Sequence, residues 1–137
     1  MRLRVVTPLA VAVDEDGVTA VRAEDESGSF GILRGHADFL TRLAVSVVSW
    51  TGADGARRHC AVRSGLLTVS KGTEVAVATR EAVVGTDLDS LHREVVARFE
   101  HDLDAERAER VESTRLHLAA IRRIVEQLKR GGIAEAP

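Results

Sequence analysis

The chain of 137 residues has no tyrosine, three phenylalanines, one tryptophan and one cysteine. Single-strand nucleic-acid platforms stack bases on aromatic rings beside a basic groove, so this composition argues against nucleic-acid binding. A lone Cys60 excludes an intramolecular disulfide framework and is compatible with a reducing compartment. The net charge of −2 gives no reason to expect a polyanion or an anionic membrane as the main partner. No stretch approaches the roughly 20 apolar residues needed to cross a bilayer. Met1–Val6 alternates charge with aliphatic side chains and lacks the apolar core of a signal peptide. Direct membrane insertion is therefore not expected, and any link to a membrane runs through another protein.

From Met1 to about Val84 the dominant period is two. Leu3 and Val5 alternate with Arg2 and Arg4, and Val11 and Val13 lead to a turn at Asp14-Glu15-Asp16-Gly17. Val18–Glu24 resumes the alternation. Leu43–Trp50 and Arg57–Arg63 flank Thr51–Gly55 as a hairpin, and Leu66–Ser70 and Thr73–Thr79 flank the tighter turn Lys71-Gly72. Short strands with turns every 8–12 residues predict an antiparallel β-sandwich or flattened barrel over residues 1–84. Val45, Val47, Val62, Leu67, Val69, Val75 and Val77 are its expected inward side chains.

The period changes at Gly85. No glycine or proline occurs between Thr86 and Arg130. Thr86-x-x-Asp89 fits a helix start. Leu88, Leu91, Val95, Phe99 and Leu103 form one apolar stripe; Val111, Leu118, Ile121, Val125 and Leu128 form a second. The charge-dense stretch Asp102–Arg110 lies between them. Residues 85–137 are thus expected to form a two-helix region, either folded as a hairpin or extended as one helix about 65 Å long at 1.5 Å per residue. Gly131-Gly132 closes the pattern, and Ile133–Pro137 reads as a tail. The fold class is α+β.

Gly28–Leu40 carries Gly28, Gly31 and Gly35 among Phe30, Ile32, Leu33, Phe39 and Leu40. Glycines accept positive φ at little cost, so this reads as a run of sharp bends anchored in a core, with Gly31 among the bends. It is not a phosphate-binding loop, because His36-Ala37 follows the last glycine where Lys-Ser/Thr is required. His59 and Cys60 are neighbours on a strand and point to opposite faces, so they do not form a nucleophile and base. Cys60 reads as a small buried apolar residue. His36, His59, His92, His101 and His117 show no metal spacing and read as surface or capping residues. No catalytic or metal site is expected.

The run Gly-Ser-Phe-Gly-Ile-Leu-Arg-Gly-His-Ala-Asp-Phe-Leu resembles the corner of the epsilon subunit of F-type ATP synthases. Val6-Thr7-Pro8, Ala61–Val69 and Gly85–Asp89 resemble further family segments in the same order. Arg34 and Asp38-Phe39 depart from the usual Pro and Pro-Leu, and with Gly-Thr-Asp-Leu are similar to the alternate, N-type branch linked to sodium translocation. The resemblance implies a non-catalytic central-stalk subunit of a proton- or sodium-translocating synthase, linking the gamma subunit to the membrane c-ring. It places the complex's peripheral sector on the cytoplasmic face of a bacterial plasma membrane. Ser29, Phe30, Gly31 and His36 would meet the c-ring and gamma, although many members have Glu where Ser29 stands.

The basic residues Arg115, Arg122 and Arg123 would contact acidic parts of the catalytic alpha and beta subunits in an extended state and restrain ATP hydrolysis. Leu88-Asp89-Ser90-Leu91-His92-Arg93 matches a helix start that holds ATP in some members, with His92 at the usual arginine position and Arg93 one place late. Asp89, His92 and Arg93 are the candidates for sensing ATP as a regulatory ligand. In that alternative, bound nucleotide sets the helical conformation. No cofactor is otherwise implied.

Overall fold

A computed structural model describes residues 1–131, so Gly132 and the expected tail Ile133–Pro137 lie outside the described residues. The chain divides into a compact unit, Met1–Glu100, and a second unit beginning at His101.

The first unit is built on ten strands. These are β1 (Arg2–Val6), β2 (Val11–Glu15), β3 (Ala20–Asp25), β4 (Gly28–Leu33), β5 (Phe39–Leu43), β6 (Ser46–Thr51), β7 (Arg57–Val62), β8 (Gly65–Ser70), β9 (Glu74–Ala78) and β10 (Ala82–Gly85). The pairing order β10-β7-β6-β3-β5-β8-β9-β1-β2, with β4 on β3, wraps a nearly closed sandwich. β3 turns the corner: it pairs with β6 along its first half and meets β5 only at Asp25↔Leu43. The antiparallel expectation holds with one exception, since β1 runs parallel to β9 from Arg2↔Glu74 to Val6↔Ala78. The predicted strand at Leu43–Trp50 is broken at Ala44-Val45, because the chain crosses there from β5 to β6.

Alternation sorts the side chains. Leu3 and Val5 point in while Arg2 and Arg4 point out, and Val75 and Val77 repeat the pattern on β9. The interior is aliphatic, from Leu3, Val5 and Val21 to Ile32, Leu43, Leu67 and Val77, with Trp50 its one large ring. Full burial of each such side chain stabilises by about 1.5–3 kcal/mol. Trp50 Nε1–H donates to Glu15 Oε2 at 2.8 Å, joining β6 to β2.

β6 and β7 depart from half-burial. Ser46–Trp50 and His59–Val62 are buried on both faces. Their outer faces carry a second apolar cluster, Val47 and Ala61 with Leu91, Val96 and Phe99. Those last three come from the helical segment that follows β10. Helix α1 (Leu88–Ser90) leads into a π-helical stretch, Leu91–Val96, and then α2, Ala97–Gly131. The N-cap is Asp87 and not Thr86: the Asp87 carboxylate accepts from the Asp89 N–H at 3.2 Å. In a π-helix residues five apart share a face. Leu91 and Val96 are both buried, and Val95, which even α spacing predicted, is half-buried against the same cluster.

In the second unit α2 continues without reversal through Asp102–Arg110, which is the extended of the two forms the sequence leaves open. The reason is local. This stretch has no glycine or proline, and spacing-compatible pairs such as Asp104–Arg107 at 3.9 Å suit a continuous helix.

Candidate functional site

Strand β4 is the frame for the residues singled out in the sequence. It pairs with β3 along its whole length, with Glu24↔Ser29, Ala23↔Phe30 and Arg22↔Gly31 in register. The turn before it is held by Asp25, whose carboxylate accepts from the Ser27 N–H at 2.9 Å and from Thr41 Oγ1–H at 2.7 Å. The Ser27 hydroxyl, which also donates to Asp25 Oδ1, is the first cause and Thr41 the second of an Asp25 carboxyl held below the usual carboxylate range. Gly28 and Gly35 carry the positive φ expected of them, 120° and 87°. Gly31 does not. It is an ordinary strand residue, and a Cβ there would come no closer than 3.9 Å to the Val21 carbonyl oxygen. The bends lie only at the two ends of β4.

This geometry separates the candidates. Ser29 is exposed beside the β3–β4 turn, whereas His36 is half-buried beyond the opposite end of the strand. A six-residue strand spans about 20 Å. Phe30 points toward the core edge and meets Phe39 edge-on at 5.6 Å; Phe39 in turn meets His36 at 5.7 Å. His36 Nδ1 lies 2.7 Å from the Ala37 carbonyl oxygen. The His36 loop is also tied to the β8–β9 turn, where the Lys71 N–H donates to Asp38 Oδ1 at 3.1 Å.

The nucleotide candidates fall on the helix start. Asp89 and Arg93 are exposed, and Arg93 Nε–H donates to the Asp89 carbonyl oxygen at 3.4 Å. His92 lines a cavity of about 170 Å³ with Arg22, Glu24, Ser29, Ser49 and Leu88. The structure therefore brings Ser29 and His92 to one place, a grouping that sequence spacing did not reveal.

His59 changes role, and its neighbour Cys60 keeps the one expected of it. His59, expected at the surface, is buried at 7% exposure, and its Nδ1 shares a 2.7 Å hydrogen bond with Ser49 Oγ across β6 and β7. Burial first, and then the positive charge of Arg57, hold its imidazole below the ordinary value. Period-two alternation alone put His59 on the outer face; only the covering helix makes that face an interior. Cys60 is fully buried in the sandwich core, where burial pushes its thiol up to about 11. It is thus a protonated, packed side chain on the opposite face from His59. Among the described residues no group of three or more His, Cys, Asp or Glu is placed to hold a metal ion.

In the second unit Arg115, Arg122 and Arg123 are exposed, and Arg115 Nη1 lies 4.0 Å from Glu112. Val111, Leu118, Ile121, Val125 and Leu128 form an apolar stripe along α2, each 43–59% exposed. No helix among the described residues is long and apolar enough to cross a membrane.

Residues 1–85 match the family described as "ATP synthase, Delta/Epsilon chain, beta-sandwich domain". The chain belongs to the ATP synthase delta/epsilon family. Its relatives include epsilon chains. It is 44% identical over 129 residues to "ATP synthase epsilon chain 2" of Paraburkholderia xenovorans, covering 94% of this chain and 93% of that one. It is 42% identical over 142 residues to "ATP synthase epsilon chain 2" of Cereibacter sphaeroides, covering 99% and 97%. The fold matches a chain of the Euglena gracilis mitochondrial ATP synthase with a TM-score of 0.58 at 21% identity, covering 77% of this chain and 62% of that chain. It also matches a chain of the Tetrahymena thermophila mitochondrial ATP synthase central stalk and c-ring, with a TM-score of 0.55 at 14% identity, covering 69% and 72%. The epsilon family and the β-sandwich-plus-helix fold read from the sequence are both borne out.

Proposed function

We propose that this chain works as the non-catalytic epsilon subunit of an F-type ATP synthase, a rotor element that links gamma to the c-ring and helps couple ion movement to ATP synthesis. The observation that carries this reading is the end-to-end similarity to epsilon chains, which extends through the helix as well as the sandwich. The geometry of β4 supports a bridging role. It holds Ser29 near one end and His36 beyond the other, with Phe30 and Gly31 between them, so one rigid strand presents two contact points. Ser29 and its turn are assigned to the ring, and His36 to gamma. The complex would hold the chain peripherally at the cytoplasmic face of the membrane. Arg34 and Asp38-Phe39 support placing it in the N-type branch.

The helix supplies the second half of the role. Its exposed apolar stripe and Arg115, Arg122 and Arg123 suit docking on acidic catalytic alpha and beta subunits, where the helix would restrain hydrolysis. Two measurements test the whole. Tagged chain should co-purify with gamma and c-ring subunits; its absence from that assembly would remove the reading. In the assembled soluble sector, Arg122→Glu with Arg123→Glu should raise the ATPase rate, as should a truncation before Asp87. Equal rates for all three would leave a stalk subunit without a brake.

A further inference from the structure

The first helical turns are fastened to the sandwich over a histidine that sequence period alone would leave in water. His59 projects from the outer face of β7, opposite Ser49 of β6 and Gly85 of β10. Leu91, Val96 and Phe99 pack beside it on Val47 and Ala61. The patch is thus an apolar contact with one titratable ring at its border. Every element around that ring bears on its charge. Arg57, on its own strand, and His92, on the helical segment, oppose protonation, and Asp87 at the helix cap favours it. Ser49 supplies the one hydrogen bond recorded for the ring, and Arg22 of β3 pairs in register with Ser49 on the other side.

We propose that His59 is a proton-sensitive latch that holds the segment Leu91–Phe99 on the sheet. Neutral imidazole fits the covered site. A second proton must be accommodated in a place that water reaches poorly, next to Arg57, whose charge opposes it more than that of Asp87 favours it. Lifting the helical turns away hydrates the ring and restores its ordinary affinity for protons. The open form therefore binds protons more readily than the closed form. By linkage, closure is complete above the ordinary histidine value of about 6.5 and weakens as pH falls through and below it. The latch lies wholly within the first unit, so it can be tested on the isolated full-length chain whatever its assembly.

Hydrogen exchange followed from pH 7.5 to 5.5, corrected for intrinsic chemistry, tests this. Protection of the amides in Leu91–Phe99 should fall several-fold, up to the roughly tenfold that one proton with an open-form value of about 6.5 allows, while amides of β1 and β9 hold theirs. In His59→Gln, which keeps a polar group without the proton, protection of Leu91–Phe99 should be flat across the range. In His92→Gln the wild-type pH dependence should persist. An NMR titration of the His59 ring in the wild type gives an independent readout, with a midpoint below 6.5 at which the loss of protection levels off. The latch is overturned if His59 titrates without any change in the helical amides. It is equally overturned if His92→Gln, and not His59→Gln, removes the pH dependence.

Discussion

Gly35 and Gly72 meet backbone to backbone: the Gly35 N–H donates to the Gly72 carbonyl oxygen at 2.8 Å. A Cβ on Gly72 would lie 3.0 Å from the Gly35 Cα. Lys71 and Gly72 have φ of 58° and 66°, both left-handed, in the three-residue connection between the paired Ser70 and Glu74. The β8–β9 turn and the His36 loop are therefore one structural piece.

Gly72→Ala should consequently cost about 1–2 kcal/mol from the left-handed backbone alone. It should also shift the His36 loop, visible as amide chemical-shift changes at Gly35 and His36. A stability loss without movement at Gly35 would mean that the contact between the two glycines carries no weight.

Gly31 behaves oppositely. With strand geometry and room for a Cβ, Gly31→Val should leave thermal stability unchanged or raise it slightly, since β-branched residues suit a strand. If gamma or c-ring binding nevertheless falls, the loss lies in the surface that Gly31 presents and not in the fold. A drop of several degrees in melting temperature would contradict the structure at this point.

The sandwich proposed for residues 1–84 can be separated from its helical cover. A truncation ending at Gly85 should still unfold cooperatively with β-type circular dichroism, because its aliphatic core is complete without the helix. It should melt below a truncation ending at Glu100, which keeps Leu91, Val96 and Phe99 on Val47 and Ala61. A disordered shorter piece would show that the helical turns are integral to the domain.

Cys60 should resist thiol reagents at pH 8 until denaturant is added, since the side chain is fully buried and its thiol is pushed up to about 11. Rapid labelling of the native chain would place the β7 interior in contact with water.

The strands were legible because each face had one solvent: Arg2-Leu3-Arg4-Val5 could be sorted into outside and inside residue by residue. The family was legible because Gly28–Leu40 combines glycines with large apolar residues at fixed spacing. What escaped depended on partners distant in sequence. Gly31 resembled its neighbours Gly28 and Gly35, yet pairing with Arg22 made it a strand residue. His59 alternated outward correctly, and only a helix more than 30 residues further on covered it. Val96 joined Val95 against the sheet because the π-helical turn shifts the register, which no α-helical period anticipates. Thr86 and Asp87 were both competent caps, and the choice fell to the residue whose oxygen reaches the Asp89 N–H.

The parallel seating of β1 has a consequence for how the chain is made. Arg2 pairs with Glu74 and Val6 with Ala78, so β1 must wait for β9, which is synthesised long after it. Its only earlier ladder partner is β2, which lies on its other side. A two-stranded hairpin is marginal in water on its own. Closing a loop of this length makes the β1–β9 seam a late, slow step, after the local hairpins have formed. Until then the Leu3 and Val5 side chains have no interior to enter, and the open edge of β9 is a template for another chain's β1.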